Sequence, residues 1–300
     1  VLFHPDLSPQ RFEEACWMIR SRLLRQEEDP DTAAVLAALA AAGADTPLAV
    51  SITGTLEGLD RVTLEEVRDL WQTWRSMPKG IYAVGQLSPA VLDFVRDLPQ
   101  AELTGFSHQP LAAAAKPYRV VSARDIMQTS LVQGYTTGIT LADPESAALL
   151  VLSSILGSGQ KSLLFEEIRE RHSWCYAISC SLIRFDGLLL ITAGTRRRHL
   201  EELQAAIAAQ IRRIREDDYP QSLFDAAILD LTDGICARQD FPSSQIETAF
   251  QQDLLSMHRT QQEQLQRLQA VTREQVRAVA DRLTLAVTSI VQEESEHEED

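Results

Sequence analysis

The chain has 300 residues, 45% of them hydrophobic, and its 28 basic and 43 acidic residues leave a formal net charge of −15. That length allows one large or two medium domains, and the charge argues against nucleic acid or an anionic membrane surface as partner, because both need a basic face. The longest apolar run, "SAALLVLSSIL" at 146–156, is too short to span a bilayer, and "VLFHPDLSPQRFEEA" carries no signal-peptide pattern. The cysteines Cys16, Cys175, Cys180 and Cys236 contain no C-x-x-C pair, so neither a redox motif nor a zinc ribbon is suggested. Unpaired cysteines without an export signal lead to the expectation of a cytoplasmic protein.

Residues 8–27 read as a helix. Ser8 caps it, Pro9 sits in the first turn, and Phe12, Ala15, Cys16, Ile19, Leu23 and Leu24 recur at helical spacing. A second helix begins near Pro30 and stops at Gly43. In "VTLEEVRDLWQTWRSM", Thr63 and Glu66 make a capping-box pair, and Val67, Leu70, Trp71 and Trp74 are the expected buried stripe. Trp17 and Trp174 are also expected in the core. "GIYAVGQL" (80–87) is a short β-rich run, and a helix capped by Ser88 follows over 88–98. Residues 99–117 hold no period, end in a proline and read as an interdomain linker.

The second half opens with the strands "YRVVSA" and "TSLVQGYTTG", then "PESAALLVLSSIL" as a buried helix. After a glycine turn come the helix "SLLFEEIRER" and the strand "WCYAISCSLI", which pairs across Arg184–Gly187 with "GLLLITAGT". Helices over 197–215 and 220–238 follow, then "SQIETAFQQDLLSM", "TREQVRAVADRL" and a last strand, "LAVTSIV". Strands first, helices later, with antiparallel neighbours, specify α+β. The acidic run "EESEHEED" (293–300) reads as a solvated, disordered tail.

"GSGQKS" at 157–162 invites a phosphate-loop reading and fails it. A P-loop requires G-x-x-x-x-G-K-[ST] after a strand, whereas Gln160 separates Gly159 from Lys161 and the preceding segment is helical. Cys175 and Cys180 stand five apart on one strand, so alternation sends them to opposite faces. "RRRH" (196–199) reads as a solvated cluster, and His172 as a turn residue. No serine, cysteine or threonine has a recognisable base partner, so covalent catalysis is unsupported. Arg169, near a helix end, and Tyr176, early in the next strand, remain. On the residues alone Arg169 closes its helix against C-terminal carbonyls and Tyr176 packs.

The stretch "LGSGQKSLLFEEIRERHSWCYAIS" resembles the pitrilysin/insulinase and mitochondrial-processing-peptidase-like family, whose pattern runs L-G-x-G-x-x-S-x-L-F-x-x-[IL]-R-E-x-x-x-L-x-Y. "GLLLITAGT", the helix pair and "VTREQV" fall in the family's order. "ADTPLAVSITGTLEGLDRVTLEEVRDLWQTW" followed by "GIYAVGQL" resembles the second half of a preceding lobe. The resemblance implies pitrilysin-like, processing-peptidase-like α+β lobes: a partial lobe over 1–98 and a complete, inactive lobe over 118–292.

Active members carry H-x-x-E-H on a helix, with two histidine ligands for zinc and a glutamate base. Here His4, His108, His172, His199, His258 and His297 form no such motif, and no two stand at i, i+4. The resemblance therefore implies no cofactor in this chain and zinc in a partner lobe. It implies as partners a zinc-bearing homologous lobe or subunit and a peptide substrate, in a homo- or hetero-dimer. It implies that Arg169 and Tyr176 bind substrate carbonyls near the scissile bond, where charge develops and donors are needed. Two other readings stay open: a structural subunit like the zinc-free core proteins of respiratory complexes, or a fragment of an active zinc peptidase.

Overall fold

The computed structural model describes residues 3–100, 109–159 and 161–294. The elements run α1 (Pro9–Glu28), α2 (Pro30–Ala42), α3 (Leu56–Arg61), α4 (Leu64–Ser76), α5 (Pro89–Arg96), β1 (Tyr118–Arg124), β2 (Thr129–Thr136), α6 (Ser146–Ser153), β3 (Cys175–Ile183), β4 (Leu188–Thr195), α7 (Leu200–Arg215), α8 (Gln221–Ala237), α9 (Pro242–Leu254), α10 (Gln261–Gln269), α11 (Arg273–Arg282) and β5 (Thr284–Glu293). They gather into two compact units. Val1–Glu28, Val50–Ser107 and Arg238–His258 form one; Asp29–Ala49, His108–Ala237 and Arg259–Asp300 form the other.

The first unit is helical. The capping box at α4 is formed: the Thr63 amide donates to Glu66 Oε2 at 2.8 Å, and the Glu66 amide donates to Thr63 Oγ1 at 3.3 Å. Its stripe, however, is not buried. Val67, Trp71 and Trp74 are half-buried and Leu70 is 70% exposed, as is Trp17 on α1. The physical reason is local: this unit holds no strand ladder among the described residues, so its stripes have no sheet to close on. Phe3 supplies partial cover, with ring centroids 5.9 Å from Trp74 and 5.2 Å from Phe94. The run 80–87 forms no strand; a single bridge joins Lys79 to Gln100. Tyr82 anchors that run instead, donating to Asp253 at 2.9 Å and meeting Phe250 edge-on at 5.8 Å.

The second unit is a five-stranded mixed sheet in the order β1-β5-β2-β4-β3, antiparallel except where β1 meets β5. One face carries the main core. Leu131, Ile178, Leu189, Ile191 and Ile290 meet α6, whose Val151 and Leu152 are fully buried, together with Leu203 and Ile207 of α7 and Val276 of α11. α6 is apolar all round, as the sequence "SAALLVLS" requires of a helix covered on every side. α10 was not expected from the sequence, although Thr260 and Glu263 make a full capping box at its start.

The other face carries α2. Ala34 and Ala38 are fully buried against Val132, Leu188, Leu190, Val287 and Val291. A helix of small apolar residues has no single stripe and lies close on a flat sheet. The compact units therefore do not follow the boundaries expected at 98 and 118: residues 29–49 belong with the sheet and 238–258 with the helical unit. Within the expected linker, 101–108 lie outside the described residues, and 109–117 hold neither helix nor strand. There the Leu111 amide donates to the Asp186 carbonyl at 2.7 Å. The expected tail starts late, since Glu293 is the last residue of β5, opposite Arg124 and 7% exposed. Residues 295–300 lie outside the described residues.

Candidate functional site

The glycine turn is built around one strand. After α6 the chain widens into a π-helical turn, Ser154–Ser158, and a second π-helical stretch spans Phe165–Arg171. Such turns are rare and recur at functional sites. Gly157 lies against β3: a Cβ there would fall 2.6 Å from Cys180 Cβ and 3.1 Å from the Cys180 amide nitrogen. Ser158 Oγ then donates to the Cys180 carbonyl at 2.9 Å. "GSG" is thus a close-approach device that covers a sheet edge, and the segment before it is a helix.

Arg169 and Tyr176 flank the turn after that second stretch. The carbonyls of Ile168 and Arg169 accept from the amides of Trp174 and Ser173, both at 3.1 Å, and Ser173 adopts φ +52 to make the reversal. Glu167 fixes the turn from outside, 2.6 Å from Arg171 Nη1 and 3.3 Å from His172 Nε2. His172 stacks on Trp174 at 4.2 Å, and Thr195 Oγ1 donates to the Trp174 carbonyl at 2.6 Å.

The Arg169 side chain is 46% exposed, with its guanidinium 4.7 Å from the Phe165 ring centroid and its Nε 3.9 Å from Glu170. It does not close its helix by bonding C-terminal carbonyls. Tyr176 is 73% exposed, and its hydroxyl has no partner among the described residues. The cause is a β-bulge. β3 pairs Cys175 with Thr195 and Ala177 with Gly194, so Tyr176 is the extra residue and is turned outward.

The same bulge corrects the expectation for the cysteines. It restores parity, and Cys175 and Cys180 both enter the main core. Burial pushes the Cys180 thiol up to about 12, against a Ser153 hydrogen bond that lowers it. Burial pushes Cys175 up to about 11, against the nearby positive charge of Arg169. Neither thiol is an activated nucleophile.

Among the described residues no group of three or more His, Cys, Asp or Glu is placed to hold a metal ion. Two histidines lie around Trp174: His172 stacks on it at 4.2 Å with Nε2 3.3 Å from Glu167 Oε1, and His199, its ring 6.3 Å away, accepts from Arg198 Nε at 3.3 Å. Among the described residues no helix is long and apolar enough to cross a membrane. What remains is a pair of outward donors, one guanidinium and one phenol, beside an edge strand. Such a pair can bind carbonyl oxygens.

Comparison with known proteins gives the following. The family described as "Peptidase M16 inactive domain" matches residues 61–231. The probable inactive metalloprotease YmfF of Bacillus subtilis (strain 168) is 22% identical over 247 residues, covering 81% of this chain; the chain spans 58% of that relative's length. A conserved protein from Enterococcus faecalis V583 superposes with a TM-score of 0.86 at 20% identity, covering 97% of this chain and 70% of that one. The peptidase M16 inactive domain from Pseudomonas fluorescens superposes with a TM-score of 0.77 at 18% identity, covering 98% and 73%.

Proposed function

The chain belongs to the peptidase M16 inactive domain family, and from that premise we propose that it grips a peptide substrate opposite a zinc-bearing lobe or subunit. Arg169 and Tyr176 are the gripping residues. The chain performs no bond cleavage itself; hydrolysis belongs to the partner's metal, in a homo- or hetero-dimer.

The observation that carries this reading is the bulge at Tyr176. An edge strand spends a ladder position to turn a phenol into solvent, and an arginine with a half-exposed guanidinium stands one turn away in the chain. A guanidinium on Phe165 keeps a fixed direction while leaving N–H donors free for a carbonyl. Two donors aimed at peptide carbonyls position the scissile bond and stabilise the negative charge that its oxygen gains.

The test is reconstitution. The chain is mixed with a homologue carrying H-x-x-E-H, and cleavage of an unstructured peptide is followed. Arg169→Ala and Tyr176→Phe are each expected to lower kcat/KM by about 10- to 100-fold, the range for losing a hydrogen bond to a charged or charging group. Unchanged cleavage in both variants overturns the carbonyl-binding role. No stimulation by the parent chain favours a structural subunit.

A further inference from the structure

Beside the Tyr176 bulge, entirely within the sheet unit, a hollow of about 310 Å³ opens between the first two turns of α2 and the ends of β3 and β4. That lies at the lower end of ligand-pocket volumes, about 300–1,000 Å³. The register explains why it is there. Across the sheet, Ala177, Gly194 and Ser130 form one row, and Ser179, Thr192 and Val132 the next. Small residues on neighbouring strands leave a shallow floor, and Val35 and Leu36 of α2 wall it.

The polar groups in it are largely consumed. Ser179 Oγ and Thr192 Oγ1 bond each other at 2.8 Å, and the Gln128 side chain fills the space over Gly194, where a Cβ would lie 2.3 Å from its nitrogen. Asp31, in the exposed first turn of α2, is the one ionisable side chain in the lining. The hollow therefore offers an apolar surface. Its floor is shared by β3 and β4, and among the described residues β3 pairs with β4 alone. Farther along, the Cys180 carbonyl is taken by Ser158. On that edge strand Ala177 and Ser179 are exposed, Ile178 between them is buried, and both exposed residues line the hollow.

We propose that this hollow receives one large apolar side chain of an extended peptide that adds to the edge of β3 at Ala177–Ser179. It rests on the reading of the chain as a peptide-gripping subunit and adds a sequence preference to it. An added strand sends alternate side chains to one face. One of them then reaches over Ala177 and Ser179 into the space under α2, a few residues from the carbonyls that Arg169 and Tyr176 hold. The backbone contacts are sequence-blind; the hollow supplies selection.

The experiment uses the whole chain and fluorescein-labelled extended peptides differing at one position: Leu, Phe, Gly or Lys. Binding is read by fluorescence anisotropy. The Leu or Phe peptide should bind about tenfold more tightly than the Gly peptide, the worth of burying part of a large apolar side chain. Ala177→Leu, at an exposed strand position, should fill the hollow and bring the Leu, Phe and Gly peptides to one common affinity, erasing that ratio; Ser179→Leu is a second filling variant should the first fail to fold. Tyr176→Phe should weaken every peptide by one factor and preserve the ratio. Equal binding of Leu and Gly peptides by the parent overturns the proposal. So does tightest binding of the Lys peptide that disappears in Asp31→Asn. If the ratio holds but Arg169→Ala and Tyr176→Phe change no affinity, the hollow stands and the carbonyl grip falls.

Discussion

Replacing Gly157 by alanine tests whether "GSG" exists for close packing. The new Cβ would meet Cys180 Cβ at 2.6 Å, Leu164 Cδ1 at 2.9 Å and the Cys180 amide nitrogen at 3.1 Å. Carbon atoms prefer about 3.5–4.0 Å, so strand and turn must part by roughly 1 Å. Two of the three neighbours belong to β3 itself and cannot rotate away. Overpacking of this kind costs about 1–3 kcal/mol, offset by about 0.5–1 kcal/mol from alanine's lower backbone entropy. The net is a destabilisation of up to about 2.5 kcal/mol, centred near about 1 kcal/mol, which for a domain of this size lowers Tm by about 2–4 °C at that centre. Gly159, two residues on, is the control: its nearest neighbour is the Ser154 carbonyl oxygen at 4.0 Å, and its φ of −113 suits any residue. Gly159→Ala should stay within about 0.5 kcal/mol of the parent. Thermal unfolding followed by circular dichroism reads both. A Gly157→Ala variant as stable as the parent, beside a damaged Gly159→Ala, refutes the reasoning.

Other outcomes are expected alongside. Leu152→Ala removes a fully buried side chain from α6 and should cost about 2–5 kcal/mol, whereas Leu70→Ala, at a 70% exposed position, should cost no more than about 0.5; urea midpoints compare them. Thr272→Ala deletes the acceptor for the Gln275 amide at the start of α11, 3.3 Å away, and should lose about 1 kcal/mol in the same assay. For the thiols the sign runs one way: an unfolded cysteine ionises near 8.5, while Cys175 and Cys180 hold their protons up to about 11 and 12. Their contribution to stability is complete below about 8.5 and is lost as pH rises through 11 to 12. The urea midpoint should therefore fall between pH 8 and 10.5, and fall less steeply in the Cys175→Ala, Cys180→Ala variant. At pH 8 an alkylating reagent should modify the exposed Cys236 well before either buried thiol, measured by mass spectrometry.

The elements read most accurately from sequence were those with local causes. The Thr63–Glu66 box formed as expected, the buried helix of 146–156 is α6, and the hairpin across 184–187 joins β3 to β4. α10 has no clear apolar stripe because its sequence is rich in glutamine, although Thr260 and Glu263 carry the same start signal. The two candidate side chains were found through resemblance. Their exposure had no sequence signal, because the bulge that exposes Tyr176 is a property of pairing between two strands.

By itself the sequence determined the α+β class, most strand and helix positions and the absence of an H-x-x-E-H helix, since each follows from residue identity and short-range periodicity. Only the tertiary structure decided where surfaces close. It placed α2 on the sheet, left Leu70 and Trp17 in solvent, and sent Cys175 and Cys180 into one core. A hydrophobic pattern says that a face wants cover but not which surface supplies it. Strand parity holds only until one residue is added to the ladder, and that addition is settled by a partner strand well away in the chain.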